Sequence, residues 1–140
     1  MAKSKLGGMV PNIKKAMDKG FRDFIIDTQS QLGEANPKDT GRMASSWFIA
    51  QNQPDTSTRP ENWGESGEQK YELQKYSGRI TADGTWFLTN NVPYAERIAL
   101  DPTESGASAG GDGGSAWYTS ITSQAQRNLD ETVDYYVRKL

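Results

Sequence analysis

Cysteine and histidine are both absent from this 140-residue sequence. Their absence excludes disulfides, thiol nucleophiles, Cys/His zinc sites, His-ligated haem and Ser-His-Asp triads. Carboxylate acid/base chemistry, Ser-Lys or Tyr chemistry and hard-cation sites built from oxygen ligands stay open. Most of the common enzyme classes are therefore excluded before any motif is considered.

Long apolar runs are also missing. The longest, such as those at residues 24–26 and 47–50, are far too short for a signal peptide or a membrane span. We therefore expect a soluble protein that is made in a cytoplasm, and the lack of cysteine fits a reducing compartment.

Aliphatic residues are scarce, since Leu, Ile, Val and Phe together supply only 22 of the 140 residues. Such a share is typical of disordered chains, but the net charge is only -2 and fourteen aromatic residues supply large buriable surfaces. We expect a single folded domain over residues 1–140 with a thin core. A thin core in a small domain indicates that subunit interfaces contribute to stability.

Charge is unevenly distributed along the chain. Residues 1–22 contain six basic residues and one acidic residue, so the remainder is strongly acidic. A basic end can contact nucleic acid or an acidic neighbouring subunit, but only one aromatic residue, Phe21, is interleaved with these charges, which favours a solvated helix face. Residues 1–10 are expected to form a flexible N-terminal arm.

The fold class predicted is α+β, with a small antiparallel sheet packed by a long N-terminal helix and a long C-terminal helix. Helical spacing of apolar residues runs over 11–32, with Pro11 in the first turn and Gly33 as the stop. A second helical pattern extends from Trp117 to Leu140, and its start lies between Ser115 and Ser123.

Two segments are predicted to be strands. Residues 47–51 have a continuous apolar run that indicates burial on both faces, and residues 85–89 follow an Asp-Gly turn signal. Residues 79–82 are a further candidate to pair with the second strand.

Short helices and loops are predicted between these elements. Asp39 or Thr40 is expected to cap a short helix, a capping box at Ser66 predicts another carrying Leu73 and Tyr76, and Asn91 is expected to cap a helical turn. Residues 52–67 are read as a long exposed loop.

Residues 101–116 (DPTESGASAGGDGGSA) combine five glycines with only acidic charges, which predicts a flexible acidic loop. The segment lacks the lysine of a P-loop and the spacing of a calcium loop, so neither phosphate nor calcium binding is expected.

The tripeptide Asp39-Thr40-Gly41 matches the catalytic sequence of aspartic proteases. That chemistry needs two carboxylates that share a proton, so a small chain would have to dimerise. Here the tripeptide follows a polar turn rather than a buried apolar strand, and a helix cap accounts for Asp39 without catalysis. A homodimeric aspartic-type hydrolase that uses Asp39 is kept as the alternative from another class; an unrelated small binding module also stays open.

Two blocks of sequence share an unusual pattern and occur in a fixed order. Residues 36–47 (NPKDTGRMASSW) have a Pro, then Asp-Thr-Gly-Arg, then small residues ending in Ser-Trp. Residues 88–95 (LTNNVPYA) follow as a strand that ends in Asn, an apolar residue, Pro, Tyr and Ala. In this order the two blocks resemble motifs of the tail-completion (neck) proteins of long-tailed bacteriophages. Family members usually continue to a Glu near a Gly, where this chain has residues 98–101 (IALD).

The resemblance implies a structural virion protein of the head-tail joint, made in the host bacterial cytoplasm and assembled as a ring of six copies. Genomic double-stranded DNA would pass through the ring without specific binding. The implied partners are further copies of itself and an adjoining connector, stopper, tail terminator or tail tube protein; the chain could equally be a tail terminator or a head-tail stopper itself. No membrane partner is implied, and the protein is expected not to be an enzyme, with no catalytic residue, cofactor or metal.

The residues expected to matter are structural or interfacial. Asp39 and Thr40 offer oxygens to free N–H groups, Gly41 allows close approach, and Trp47 starts a buried strand. The full set is Asp39, Thr40, Gly41, Arg42, Trp47, Asn91, Pro93, Tyr94 and Ala95.

Overall fold

The computed structural model describes residues 2–67, 69–100 and 116–140. Within them lie four helices and one two-stranded antiparallel sheet, which confirms the predicted α+β class. The elements are α1 (Ala2–Ala35), β1 (Trp47–Gln51), β2 (Trp86–Asn90), α2 (Ala95–Leu100), α3 (Ala116–Ser123) and α4 (Ala125–Val137). The predicted flexible loop at 101–116 lies outside the described residues, except for Ala116, which begins α3.

Helix α1 is longer than predicted, with 34 residues that span about 51 Å. Pro11 lies inside the helix instead of in its first turn. Because proline has no backbone N–H, one hydrogen bond of the helix is missing there. Residues 2–10, where an arm was expected, are helical, and the flexibility of that segment stays a prediction.

The sheet pairs β1 with β2 in a register that places Ile49 opposite Leu88. Trp47, Phe48 and Ile49 are buried, as the apolar run predicted. Strand β2 begins one residue later than predicted. The predicted pairing of residues 79–82 with it is wrong, because the described residues contain no strand there and β1 is the partner.

Two small apolar clusters form the core. One contains Leu32, Met43, Trp47, Val92, Ala99 and Trp117, and the other contains Ile25, Ile49 and Ile80. The second cluster joins α1 to the sheet, whereas the first joins α1 to α2 and α3. The core is thin, as the scarcity of aliphatic residues predicted.

The C-terminal helical pattern is divided into α3 and α4 by a turn at Gln124. Helix α4 packs against α1 so closely that a Cβ atom added at Gly20 would lie 2.6 Å from the Cα atom of Val133. The phenol of Tyr136 also donates a hydrogen bond to the carboxylate of Asp23. Gly20 weakens α1 as an isolated helix, but it allows this approach.

The helix predicted after Ser66 is wrong, because residues 69–85 contain neither helix nor strand. This segment is held by tertiary contacts instead. Gln29 of α1 donates from its Nε2 atom to the carbonyls of Trp47, at 2.8 Å, and Gln74, at 3.2 Å. Tyr76 packs edge-on against Trp86 with ring centroids 5.5 Å apart. No helix in the described part of the chain is long and apolar enough to cross a membrane.

Candidate functional site

The first of the two sequence blocks lines a concave surface, here called the hollow, and Tyr94 of the second block also reaches it. It has a volume of about 680 Å³ and lies between the end of α1, the turn that follows it and α2. From the first block it is lined by residues 36–43, and from the region of the second block by Tyr94, Arg97 and Ile98. The side-chain amide of Asn90 joins the blocks directly, since it donates to the carbonyl of Met43 at 2.7 Å.

Residues 39–46 form a turn, so the predicted short helix is wrong. Thr40 accepts a hydrogen bond on Oγ1 from the backbone N–H of Arg42 at 3.2 Å, and the N–H of Ser45 bonds to the carbonyl of Gly41 at 3.0 Å. There is thus no helix for Asp39 or Thr40 to cap; Thr40 accepts a hydrogen bond within the turn instead, while Asp39 is exposed at the hollow.

Gly41 lies where two backbone segments meet. Its φ angle is +90°, and a Cβ atom there would lie 1.9 Å from the carbonyl oxygen of Lys70. The N–H of Lys70 also donates to the carbonyl of Thr40 at 2.9 Å. Both the backbone conformation and the space therefore require glycine.

Arg42 ties the turn to the loop at residues 52–67. Its Nε atom donates to the carbonyl of Arg59 at 2.9 Å, and a terminal nitrogen lies 3.5 Å from Oγ1 of Thr58. Arg59 in turn donates to the carbonyls of Ser45, at 3.1 Å, and Glu72, at 2.8 Å. The two arginines thereby connect three segments that are distant in sequence.

Ser45 and Ser46 are completely buried, and each hydroxyl both donates and accepts. Ser46 donates to the carbonyl of Arg42 at 2.6 Å and accepts from the N–H of Arg59 at 3.0 Å. Ser45 donates to the carbonyl of Lys70 at 3.3 Å and accepts from the N–H of Glu72 at 2.9 Å. Because the donor and the acceptor of each buried hydroxyl are both hydrogen-bonded, the desolvation penalty is offset and each serine holds two loops together.

Trp47 is buried in the core below the hollow. Its indole Nε1–H donates to Oδ1 of Asn36 at 3.0 Å, and its ring stacks on Tyr118 at an interplanar angle of 18°. Asn36 is only 1% exposed and also donates from Nδ2 to the carbonyl of Pro37 at 2.9 Å. Sequence reasoning missed Asn36, although it precedes a proline at the end of α1.

The second block is divided between the surface and the core. Asn91 is exposed and donates to the carbonyl of Asp55 at 2.6 Å, so its amide does not cap α2 as predicted. Pro93 is exposed, whereas Tyr94 and Ala95 pack against the first core cluster. Val92, which lies between Asn91 and Pro93, is buried and anchors the segment before α2 in the core.

Trp63 is a further residue that sequence reasoning did not single out. Two cations contact its ring: the guanidinium of Arg59, 4.6 Å from the ring centroid, and the ammonium of Lys70, 4.0 Å away. Its Nε1–H donates to the carbonyl of Lys70 at 2.9 Å. Cations over an indole face are favourable, so Trp63 helps to hold the loop at residues 52–67 against Lys70.

The charges of the hollow are mixed and largely engaged within the fold. Lys38 donates to the carbonyls of Glu34, at 2.6 Å, and Asn36, at 3.0 Å, so it covers free carbonyls at the end of α1. Burial lowers the pKa of Lys38, and the nearby Glu34 opposes this effect. The hollow's two carboxylates belong to Asp39 and Glu61. Within the described residues no three metal-ligating side chains cluster.

The geometry brings together Asp39, Thr40, Gly41, Arg42 and Tyr94 around the hollow, with Trp47 and Ala95 beneath it and Asn91 and Pro93 outside. Such an arrangement holds loops in place and presents a mixed-charge concave surface. No protein-family model matches the chain, and neither a curated protein nor a solved structure is significantly similar to it.

Proposed function

We propose that this chain is a structural virion protein of the head-tail joint of a long-tailed bacteriophage. It assembles as a ring that completes or joins the tail and lets DNA pass. The observation that carries the proposal is that the two family-like blocks meet in space: the amide of Asn90 bonds to the carbonyl of Met43, and Tyr94 lines the hollow with residues 36–43. Blocks separated by about 40 residues in sequence that meet in space indicate one shared role.

The chemistry of the motif supports a structural role. Arg42, Ser45 and Ser46 direct their polar atoms at backbone groups of other loops. Side chains engaged in this way position a surface; they are not free to act on a substrate.

The exposed face of α1 supports subunit contact. Val10, Ile13 and Met17 are 70%, 37% and 43% exposed, and their spacing places them on one side of the helix. An apolar stripe flanked by basic residues on an otherwise polar chain favours burial against another protein surface. We assign this stripe to contact between neighbouring copies.

Charge suggests how the ring is oriented. A basic channel wall would hold DNA through counterion release, whereas passage favours an acidic or neutral wall. We expect the acidic segment 101–116 nearer the channel and the basic residues of α1 toward neighbouring copies or an adjoining ring. A ring with Lys14, Lys15 and Lys19 facing the channel, or tight salt-sensitive DNA binding, would contradict this orientation.

A tail terminator or a head-tail stopper would share the same small α+β plan. The hydrolase alternative depends on Asp39, which is exposed at the hollow. The other carboxylate that lines the hollow belongs to Glu61. These alternatives differ in assembly and in activity.

Light scattering after sizing chromatography tests the proposal, together with electron microscopy of the same fractions. We expect rings with the mass of six copies, in solution or after addition of purified tails. Met17→Asp should reduce assembly, while Leu100→Asp, at another exposed apolar residue, should not. A strict dimer with peptidase activity, or a monomer that neither forms rings nor binds tails, would refute it.

A further inference from the structure

The hydrogen-bond pattern of the sheet determines which backbone groups of β2 face outward. The N–H of Asn52 donates to the carbonyl of Thr85 at 2.8 Å, which continues the register beyond the ends of both strands. In an antiparallel ladder the bonded pairs alternate with non-bonded pairs. The N–H and C=O groups of Phe87 and Thr89 therefore face β1, and those of Trp86 and Leu88 face away.

The two outer edges of the sheet differ. On β1, the outward carbonyl of Trp47 accepts a hydrogen bond from Gln29, which also bonds to Gln74. The outward backbone groups of Ile49 have no hydrogen-bond partner among the described residues, but Ile49 is buried in the second core cluster, so this edge is covered. On β2, the outward backbone groups of Trp86 and Leu88 have no hydrogen-bond partner among the described residues. Within the described part of the chain, the outer edge of β2 thus leaves two donors and two acceptors open at Trp86 and Leu88, and the backbone groups of Asn90 face the same way.

Nothing in the sequence of β2 protects this edge. The strand (WFLTN) has no charged residue and no proline, and its register with β1 is uninterrupted by a bulge. Proteins usually block exposed edges with lysine, proline or bulges because an unpaired edge accepts another strand. An unprotected edge points to a strand that is meant to be paired.

An apolar crevice of about 270 Å³ lies on the face of the sheet that carries Trp86 and Leu88. It is bounded by Phe21 and Phe24 on α1 and by Tyr118 and Thr122 on α3. Side chains of an added strand alternate between the two faces, so every second one would enter this crevice.

We propose that the outer edge of β2 binds an extended segment of another polypeptide, which adds as a third strand and inserts alternate apolar side chains into the crevice. The open backbone groups supply the pairing, and the crevice supplies the selectivity. Helices α1 and α3 bound the crevice, so a single strand fits there. A second copy paired through its own β2 would bring its helices to the same side of the sheet. The inference is independent of the ring and of the hollow.

Amide hydrogen exchange resolved by residue tests this. In the free chain, the amides of Trp86 and Leu88 should exchange at least about tenfold faster than those of Phe87 and Thr89. The probes are six-residue peptides in which Thr alternates with Leu, Val or Phe. At millimolar concentration at least one should slow exchange at Trp86 and Leu88 by about tenfold, with little change at Phe87 and Thr89.

Two controls separate strand addition from other binding. The same peptide N-methylated at alternate residues, which removes the donors of one edge, should have no effect. Thr122→Trp, which fills the crevice, should weaken peptide binding by about tenfold, whereas Ser123→Trp on the same helix should not. The proposal is overturned if the Trp86 and Leu88 amides are already protected in the free chain. It is also overturned if no peptide protects them, or if protection rises with protein concentration alone as a dimer forms.

Discussion

Two close backbone contacts, one at Gly20 and one at Gly41, hold this fold together in different ways. At Gly20, α1 meets α4 along a long helix-helix interface, and the glycine is one contact among many. At Gly41, a single turn meets Lys70, and the surrounding contacts are hydrogen bonds between side chains and distant backbone groups. Substitutions between α1 and α4 should therefore lower the free energy of unfolding by small, graded amounts. In the turn at residues 39–46, the loss should depend on which single group is removed.

Gly41→Ala should have the largest effect. The new Cβ atom would lie 1.9 Å from the carbonyl oxygen of Lys70 at a φ angle of +90°, so the turn must move away from residues 69–72. We expect a loss of at least about 3 kcal/mol in the free energy of unfolding. The matched control is Gly67→Ala, at φ +97° with no atom within 4 Å, which should cost only about 1 kcal/mol. Equal losses in urea unfolding would show that the contact with Lys70 is unimportant.

Asn36→Ala should have the next largest effect, because it leaves the buried indole N–H of Trp47 without its acceptor. A buried donor without a partner costs about 1–3 kcal/mol. Asn62→Ala, at an exposed position, should leave the midpoint of thermal unfolding nearly unchanged. A small effect at Asn36 would mean that the core below the hollow rearranges easily.

Helix and strand positions were largely predictable from the sequence, because they depend on local periodicity. Apolar residues recur every three or four positions on one face of α1 and of α4, and β1 is a continuous apolar run, so a short window of sequence identifies each of them. The helices expected after Asp39 and Ser66 were wrong because tertiary hydrogen bonds replaced the local ones. Gln29, for example, holds Gln74, 45 residues away.

The candidate site was predictable only in part. Pattern recognition selected Gly41 and Arg42, but their partners Lys70 and Arg59 lie 29 and 17 residues away, and no local signal marks them. Asn36 was missed because an asparagine before a proline is typical of an ordinary turn. The division between Thr40, which accepts the turn's hydrogen bond, and Asp39, which is exposed, depends on backbone direction that sequence does not reveal.

The contribution of α1 to stability can be tested through the pH dependence of the unfolding midpoint. Burial, and then the neighbouring carboxylate of Asp23, raises the pKa of Asp27 on α1. A carboxyl group with a raised pKa in the folded state favours folding when protonated, and this benefit is lost as the pH rises through the folded pKa. Asp27→Asn should therefore raise the unfolding midpoint at pH 7, and the gain should vanish near pH 3. Asp130→Asn, at a carboxylate on α4 that is also exposed and accepts a hydrogen bond from Gln126 at 3.0 Å, is the control; an equal gain there at pH 7 would contradict the prediction.

Asp39→Ala should have the smallest effect, although Asp39 is the most conspicuous residue of the motif. Its side chain is exposed, and the turn's hydrogen bond goes to Thr40, so we expect a change within about 0.5 kcal/mol. Thr40→Val removes the acceptor while keeping the shape, and it should cost about 1 kcal/mol. A larger loss for Asp39→Ala than for Thr40→Val would show that Asp39, rather than Thr40, stabilises the turn. Loss of a measurable hydrolytic activity in Asp39→Ala, with an unchanged unfolding midpoint, would favour the hydrolase over the structural protein.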